Sequence, residues 1–176
     1  MFRKISQKKT FWRRVCLAVL VLLLSVLQNG RGLFPEIFGA RALLLIPAVT
    51  AIAMYERNIA GMFYGLFAGM LWDIFAAGNN FNAIFLFALG FGCSTLINTI
   101  MRNNIVTHAL LSSAAGFVYC LGYWLYHYVV MAQSGAVLSL FRYFIPCVIY
   151  TALLSPVIFM IVRAIEMKFK KEELYV

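Results

Sequence analysis

Long apolar runs fill this chain, and the polar breaks between them are short. The first run, with core VCLAVLVLLLSVLQ, covers about residues 12–28. Five more cover about 39–55, 59–77, 82–101, 105–131 and 137–162. An apolar helix of roughly 20 residues crosses the hydrocarbon core of a bilayer. Each run is therefore expected to be one transmembrane helix. Together they predict a single membrane domain over 1–176, an all-α integral membrane protein built as a six-helix transmembrane bundle. The first run follows a basic stretch, as in a signal peptide, but no A-x-A site comes after it, so a retained helix is expected. Pro47 falls inside the second run, where a kink is expected. The sixth run contains Pro146 and Pro156 and is split by Arg142, which puts its first turns at the interface. Residues 1–11 and 163–176 are expected to be polar tails.

Composition removes the soluble alternatives. Of the 176 residues, 64% are hydrophobic and 12% charged, with mean hydropathy +0.88. A soluble domain averages about 45–50% apolar and about 25% charged residues. A soluble enzyme, a disordered chain and a secreted disulfide scaffold are all excluded by these values.

The charges then orient the spans. The net charge is +9, from 15 Lys and Arg against 6 Asp and Glu. With the N-terminus inside, the inner segments hold six basic residues of the N-tail (Arg3, Lys4, Lys8, Lys9, Arg13, Arg14), Arg57, Arg102, and Arg163, Lys168, Lys170 and Lys171. The outer segments hold only Arg31, Arg41 and Arg142. Excess Lys and Arg marks the cytoplasmic side. The expected location is thus the cytoplasmic membrane, with both termini cytoplasmic and the basic tails lying on an anionic leaflet. Trp12 is expected at the inner interface, and Trp72 and Trp124 near the outer one. No basic–aromatic stripe accompanies the charges, so no nucleic-acid partner is expected.

The sharpest pattern is G-MFY-G-LFA-G-MLW-D in the third run, which places Gly61, Gly65, Gly69 and Asp73 four residues apart. Four helical residues turn about 400°, so these positions wind slowly around one face. Small residues at this spacing let a second helix approach closely, with a right-handed crossing near −40° favoured. Two uses stand open: packing inside this bundle, or a docking face for another protein's helix. Asp73 is the only acidic residue inside a predicted span. A charge in the bilayer is expensive and faces the bundle or water. No second intramembrane carboxylate or Arg offers a relay partner, so a pin between helices or a cap on backbone N–H groups is favoured over an ion site.

The remaining polar residues carry bland expectations. Glu56 and Arg57 read as a solvated pair in a short inner turn. His108 and His127 are 19 residues apart in the fifth run, about 28 Å along a helix, so they cannot share a metal within it. Ser112 through Gly116 form a small-residue patch suited to packing. Tyr119, Tyr123, Trp124, Tyr126 and Tyr128 read as an interfacial belt or a ligand-stacking wall. Cys16, Cys93, Cys120 and Cys147 form no C-x-x-C pair and read as small buried hydrophobes. No zinc-protease, nucleophile-elbow or phosphate-loop signature is present, and no carboxylate pair suits acid–base work. The chain is thus expected not to be an enzyme and to need no cofactor or metal.

The segment AMYERNIAGMFYGLFAGMLWDIFAAG, followed by FLFALGFG, resembles the bacterial rod shape-determining protein MreD family over about residues 47–96. Gly61, Gly65, Gly69 and Asp73 match its glycine-spaced helix ending in Asp, while Asn82 stands where members often carry a glycine. The resemblance implies a fold similar to the substrate-binding subunit of energy-coupling-factor transporters. It implies a non-enzymatic scaffold of cell-elongation peptidoglycan synthesis. The partners implied are an MreC-like protein, a RodA-type glycosyltransferase, a class B penicillin-binding protein and, through the complex, the MreB cytoskeleton. The alternative is a small-molecule-binding subunit of a vitamin transporter of that type, with Asp73, Asn79, Asn80, Asn82, Tyr123 and His127 clustered at the outer face. An intramembrane enzyme acting on a lipid-linked substrate through Asp73 and the histidines is the third reading.

Overall fold

In a bilayer no water is present to take backbone N–H and C=O groups, so apolar segments close those bonds internally as helices. The computed structural model describes residues 2–30, 32–33, 35, 40–56, 58–75, 81–130 and 136–174. Among these residues the chain is all-helical, without a strand. Helix α1 is Phe2–Asn29, α2 is Leu45–Tyr55, α3 is Asn58–Phe75 and α4 is Asn82–Thr99. Helix α5 is Ile105–Trp124, prolonged by a π-helical segment, Leu125–Val130. Helix α6 runs without a break through Ala136–Ser139, the π-helical Leu140–Phe144 and Ile145–Leu174. Four stretches are long and apolar enough to cross a membrane: Lys9–Asn29, Asn82–Thr99, Ile105–Trp124 and Leu140–Phe169. Two shorter apolar helices, Leu45–Tyr55 and Ile59–Phe75, accompany them.

Both expected tails prove to be helical extensions. Helix α1 already starts at Phe2 and α6 continues to Leu174. Lys, Arg and Glu are good helix formers, so a span simply carries its helix on into polar surroundings.

The second run departs most from expectation. Its helix has 11 residues, which is about 16 Å, or half a hydrocarbon core. Pro47 does not kink it but stands in its first turn, where a missing N–H leaves no intrahelical bond unmade. Every residue from Leu45 to Met54 is buried, as befits a helix apolar all round. It is the axis of the bundle, touching α1, α3, α4, α5 and α6.

A half-helix inside a membrane must have its ends satisfied by protein. Here the Gln28 Oε1 of α1 accepts from Leu45 N–H at 2.9 Å, and the Thr151 hydroxyl of α6 accepts from Leu43 N–H at 2.9 Å. At the other end Asn103 Nδ2 donates to the Met54 carbonyl at 3.1 Å, and the Ser94 hydroxyl to the Glu56 carbonyl at 3.1 Å. His108 is fully buried (0% exposed), with Nε2 2.9 Å from the Pro47 carbonyl and its ring 5.0 Å from that of Phe159. These scattered polar residues hold the axial helix in place.

The same economy explains α6. Pro156 leaves the Ala152 carbonyl without its usual amide donor, and the Ser155 hydroxyl donates to it at 2.9 Å. Pro146 is the second residue after the π segment. The wider π turn eases the clash that a proline ring otherwise makes with the carbonyl four residues back.

Candidate functional site

The glycine ladder has an occupant within the chain. Helices α3 and α4 run antiparallel, and a Cβ at Gly61 would stand 3.2 Å from the Gly90 carbonyl oxygen. One at Gly65 would overlap the Leu86 carbonyl, and one at Gly69 would stand 2.7 Å from the Asn82 carbonyl oxygen. Gly61 also meets Ala53 of α2 at 3.2 Å. The ladder is therefore filled by α4 and leaves no room for a partner's helix. Of the paired glycines on α4, Gly90 faces Gly61 and a Cβ at Gly92 would meet nothing within 4 Å.

Asp73 completes this contact. Its Oδ1 accepts from Asn82 N–H at 3.2 Å and its Oδ2 from Ala83 N–H at 3.0 Å. The carboxylate thus caps the first turn of α4, whose N–H groups have no intrahelical acceptor and whose dipole favours negative charge. Asn82, 4% exposed, in turn accepts the Tyr119 hydroxyl at 2.6 Å. Asp73→Ala is expected to free the Asn82 and Ala83 amides, at a cost of about 1–2 kcal/mol. Hydrogen exchange should show those two amides opening faster while Ser94 at the far end of α4 is unchanged. Equal protection in variant and parent would contradict the cap.

A cavity of about 540 Å³ lies beside this corner, between the first turn of α4 and the end of α5. Phe81, Asn82 and Phe85 form one wall; Val118, Tyr119, Gly122, Tyr123 and Tyr126 form the other. The Tyr119 ring is held by Trp72 at 5.0 Å, Phe85 at 5.3 Å and Tyr123 at 6.3 Å. Trp72 is 7% exposed and braces this wall. Of the expected outer cluster, Asp73 meets Asn82 through its amide, and Asn82 joins Tyr123 in lining the cavity. Asn79, Asn80 and the side chain of His127 lie outside the described residues, as do Arg31 and Arg57.

The opposite end of the bundle holds a site the sequence reading missed. Glu56 is not a solvated loop residue: it is 7% exposed, and its Oε1 accepts from Arg13 Nη2 at 2.8 Å. Arg13 Nη1 also pairs with Glu166 Oε2 at 3.2 Å. The triad ties α1, the end of α2 and α6 together. The signal for it was present as a carboxylate closing an otherwise apolar run, but Arg13 is 43 residues from Glu56 and 153 from Glu166.

The small-residue patch of α5 packs on α6, with Gly116 facing Thr151 at 3.9 Å. The Cys147 thiol donates to the Arg41 carbonyl at 3.0 Å, and neither Cys120 nor Cys147 is in a disulfide. Among the described residues no group of three or more His, Cys, Asp and Glu could hold a metal.

Fold and surface thus define an all-helical protein with four helices able to span a membrane and a half-length helix on its axis. Compared with known proteins, the chain matches no family model, no curated protein and no solved structure.

Proposed function

We propose that this protein is a non-enzymatic membrane scaffold of bacterial cell-elongation peptidoglycan synthesis, docking the transmembrane helix of an MreC-like partner. Through that partner it would join a RodA-type glycosyltransferase, a class B penicillin-binding protein and the MreB cytoskeleton. The proposed setting is the cytoplasmic membrane, with both termini inside. The resemblance of residues 47–96 to the MreD family supports the reading, as does the grouping of Arg13, Glu56, Asn103 and Glu166 at one end of the bundle.

One observation carries the docking step. Ala88 and Gly92 lie four residues apart on the outer face of α4, Ala88 exposed and Gly92 with no neighbour to a Cβ within 4 Å. Phe91 and Ile84 flank them and are 49% and 63% exposed. Such a face admits a helix by close van der Waals contact, since lipid supplies no hydrophobic drive. Gly92→Leu is expected to abolish co-purification of the MreC-like protein in mild detergent while the variant still folds. Full recovery of the partner with Gly92→Leu would refute the docking face. The vitamin-transporter alternative has the aromatic cavity in its favour, and bound vitamin in gently purified protein would decide for it.

A further inference from the structure

We infer that the cavity between α4 and α5 is a binding site for an uncharged, membrane-soluble molecule with a flat conjugated ring and hydrogen-bonding groups on its edge. The inference does not rest on the docking reading: from α4 the cavity takes only Phe81, Asn82 and Phe85 of its first turns, and Ala88 and Gly92 lie one to two turns further along that face. Its volume of about 540 Å³ lies within the range of about 300–1,000 Å³ that holds small organic ligands.

Three features of the walls select the chemistry. First, five of the eight lining residues are Phe or Tyr. Ring faces attract other rings in offset or edge-on geometry, beyond the area they bury, and offer an acyl chain no such gain. Second, the wall is fixed before any ligand arrives. Tyr119 is clamped by Trp72 and Phe85, and its hydroxyl is held by buried Asn82. A preorganised wall spends little entropy on binding. Third, no lining residue carries a formal charge, and a charged ligand would lose its hydration without a counter-ion. The polar groups at the lining are the carboxamide of Asn82 and the tyrosine hydroxyls, which suit a carbonyl or hydroxyl on a ring.

Two further details fit a site and have no use in packing. Gly122 is mid-helix, where glycine is unfavourable, yet a Cβ there would meet nothing within 4 Å. No close helix approach explains it; its effect is to leave the cavity floor open. Three residues after it α5 widens into the π-helical segment Leu125–Val130, which carries Tyr126 into the lining. Single π turns inside helices are frequent at functional sites.

The probe for the test is benzophenone, an uncharged two-ring ketone that inserts into C–H bonds on illumination. The purified full chain is labelled in lipid nanodiscs and adducts are mapped by mass spectrometry. Saturable labelling confined to 81–85 and 118–126 is expected. Menadione, an uncharged two-ring quinone, should reduce it at least tenfold, and 1-dodecanol at equal concentration should not. Gly122→Leu, which fills open space, should reduce labelling at least tenfold with an unchanged melting temperature. Tyr123→Leu, which keeps apolar bulk but removes a ring, should weaken it as well. Labelling spread over all lipid-facing helices without saturation would overturn the site. Equal competition by 1-dodecanol would overturn the ring specificity. Parental labelling of both variants would overturn the assignment to this cavity.

Discussion

Gly65→Ala is expected to lower the unfolding free energy of the purified protein by about 3 kcal/mol, while Gly92→Ala and Gly122→Ala should leave it unchanged or raise it by up to about 1 kcal/mol. All three add one methyl group to a helix glycine. They differ in what the methyl meets. At Gly65 it would overlap the Leu86 carbonyl oxygen and stand 2.8 Å from its carbon and 3.2 Å from the Phe87 Cα. These are backbone atoms, so no rotamer can yield and α4 has to move as a body. Helices α3 and α4 form the most extensive helix pair among the described residues, so the shift is felt along its whole length. Overpacking costs about 1–3 kcal/mol where neighbours can adjust, and more where they cannot. At Gly92 and Gly122 nothing lies within 4 Å, and alanine is the better helix former by about 1 kcal/mol. Unfolding in detergent, followed by loss of helical signal, measures all three. Equal effects at Gly65 and Gly92 would sink the account of the ladder.

The contrast shows what a sequence can and cannot say. Spacing alone marks Gly61, Gly65 and Gly69 as one face, because helical periodicity is local. It does not say what covers the face, since Gly90 and Leu86 are contacts made through the fold. Helix positions were legible for the same reason: α4 and α5 begin at Asn82 and Ile105, where the hydropathy pattern places them. The second run misled because a half-helix buried on every side is as apolar as a full span. The signs of its true length were Gln28, Ser94, Asn103, His108 and Thr151, all of which serve its ends and none of which is near it in sequence. The aromatic content of the outer part of α5 was visible. That Phe81 and Phe85 face it across a cavity was not, because that depends on how far α4 and α5 stand apart. Glu56 and Arg13 were both counted as surface charges, since a sequence carries no sign that a charge is turned inward.

That inward pair gives the second large effect. Arg13→Met is expected to cost about 3–5 kcal/mol, the range for removing one partner from a buried ion pair. The Glu56 and Glu166 side chains are 5% and 9% exposed and Arg13 is 26% exposed, so bulk water screens the cluster poorly. Without the guanidinium, the two carboxylates lose the group that bridges them, on segments that the triad would otherwise hold together. Arg13→Lys should fall between parent and Arg13→Met. An ammonium is a single point charge, whereas the guanidinium gives Nη2 to Glu56 and Nη1 to Glu166 at once. The decisive variant changes all three residues: Arg13→Met with Glu56→Gln and Glu166→Gln removes the three charges of the triad while keeping the approximate volume. Its stability should return to within about 1 kcal/mol of the parent, because the attraction of a buried ion cluster is largely offset by the cost of dehydrating it. Recovery in the triple variant locates the loss in the stranded carboxylates. A triple variant as unstable as Arg13→Met would instead locate it in the packing of the Arg13 stem against α2 and α6, and the electrostatic account of this corner would fail.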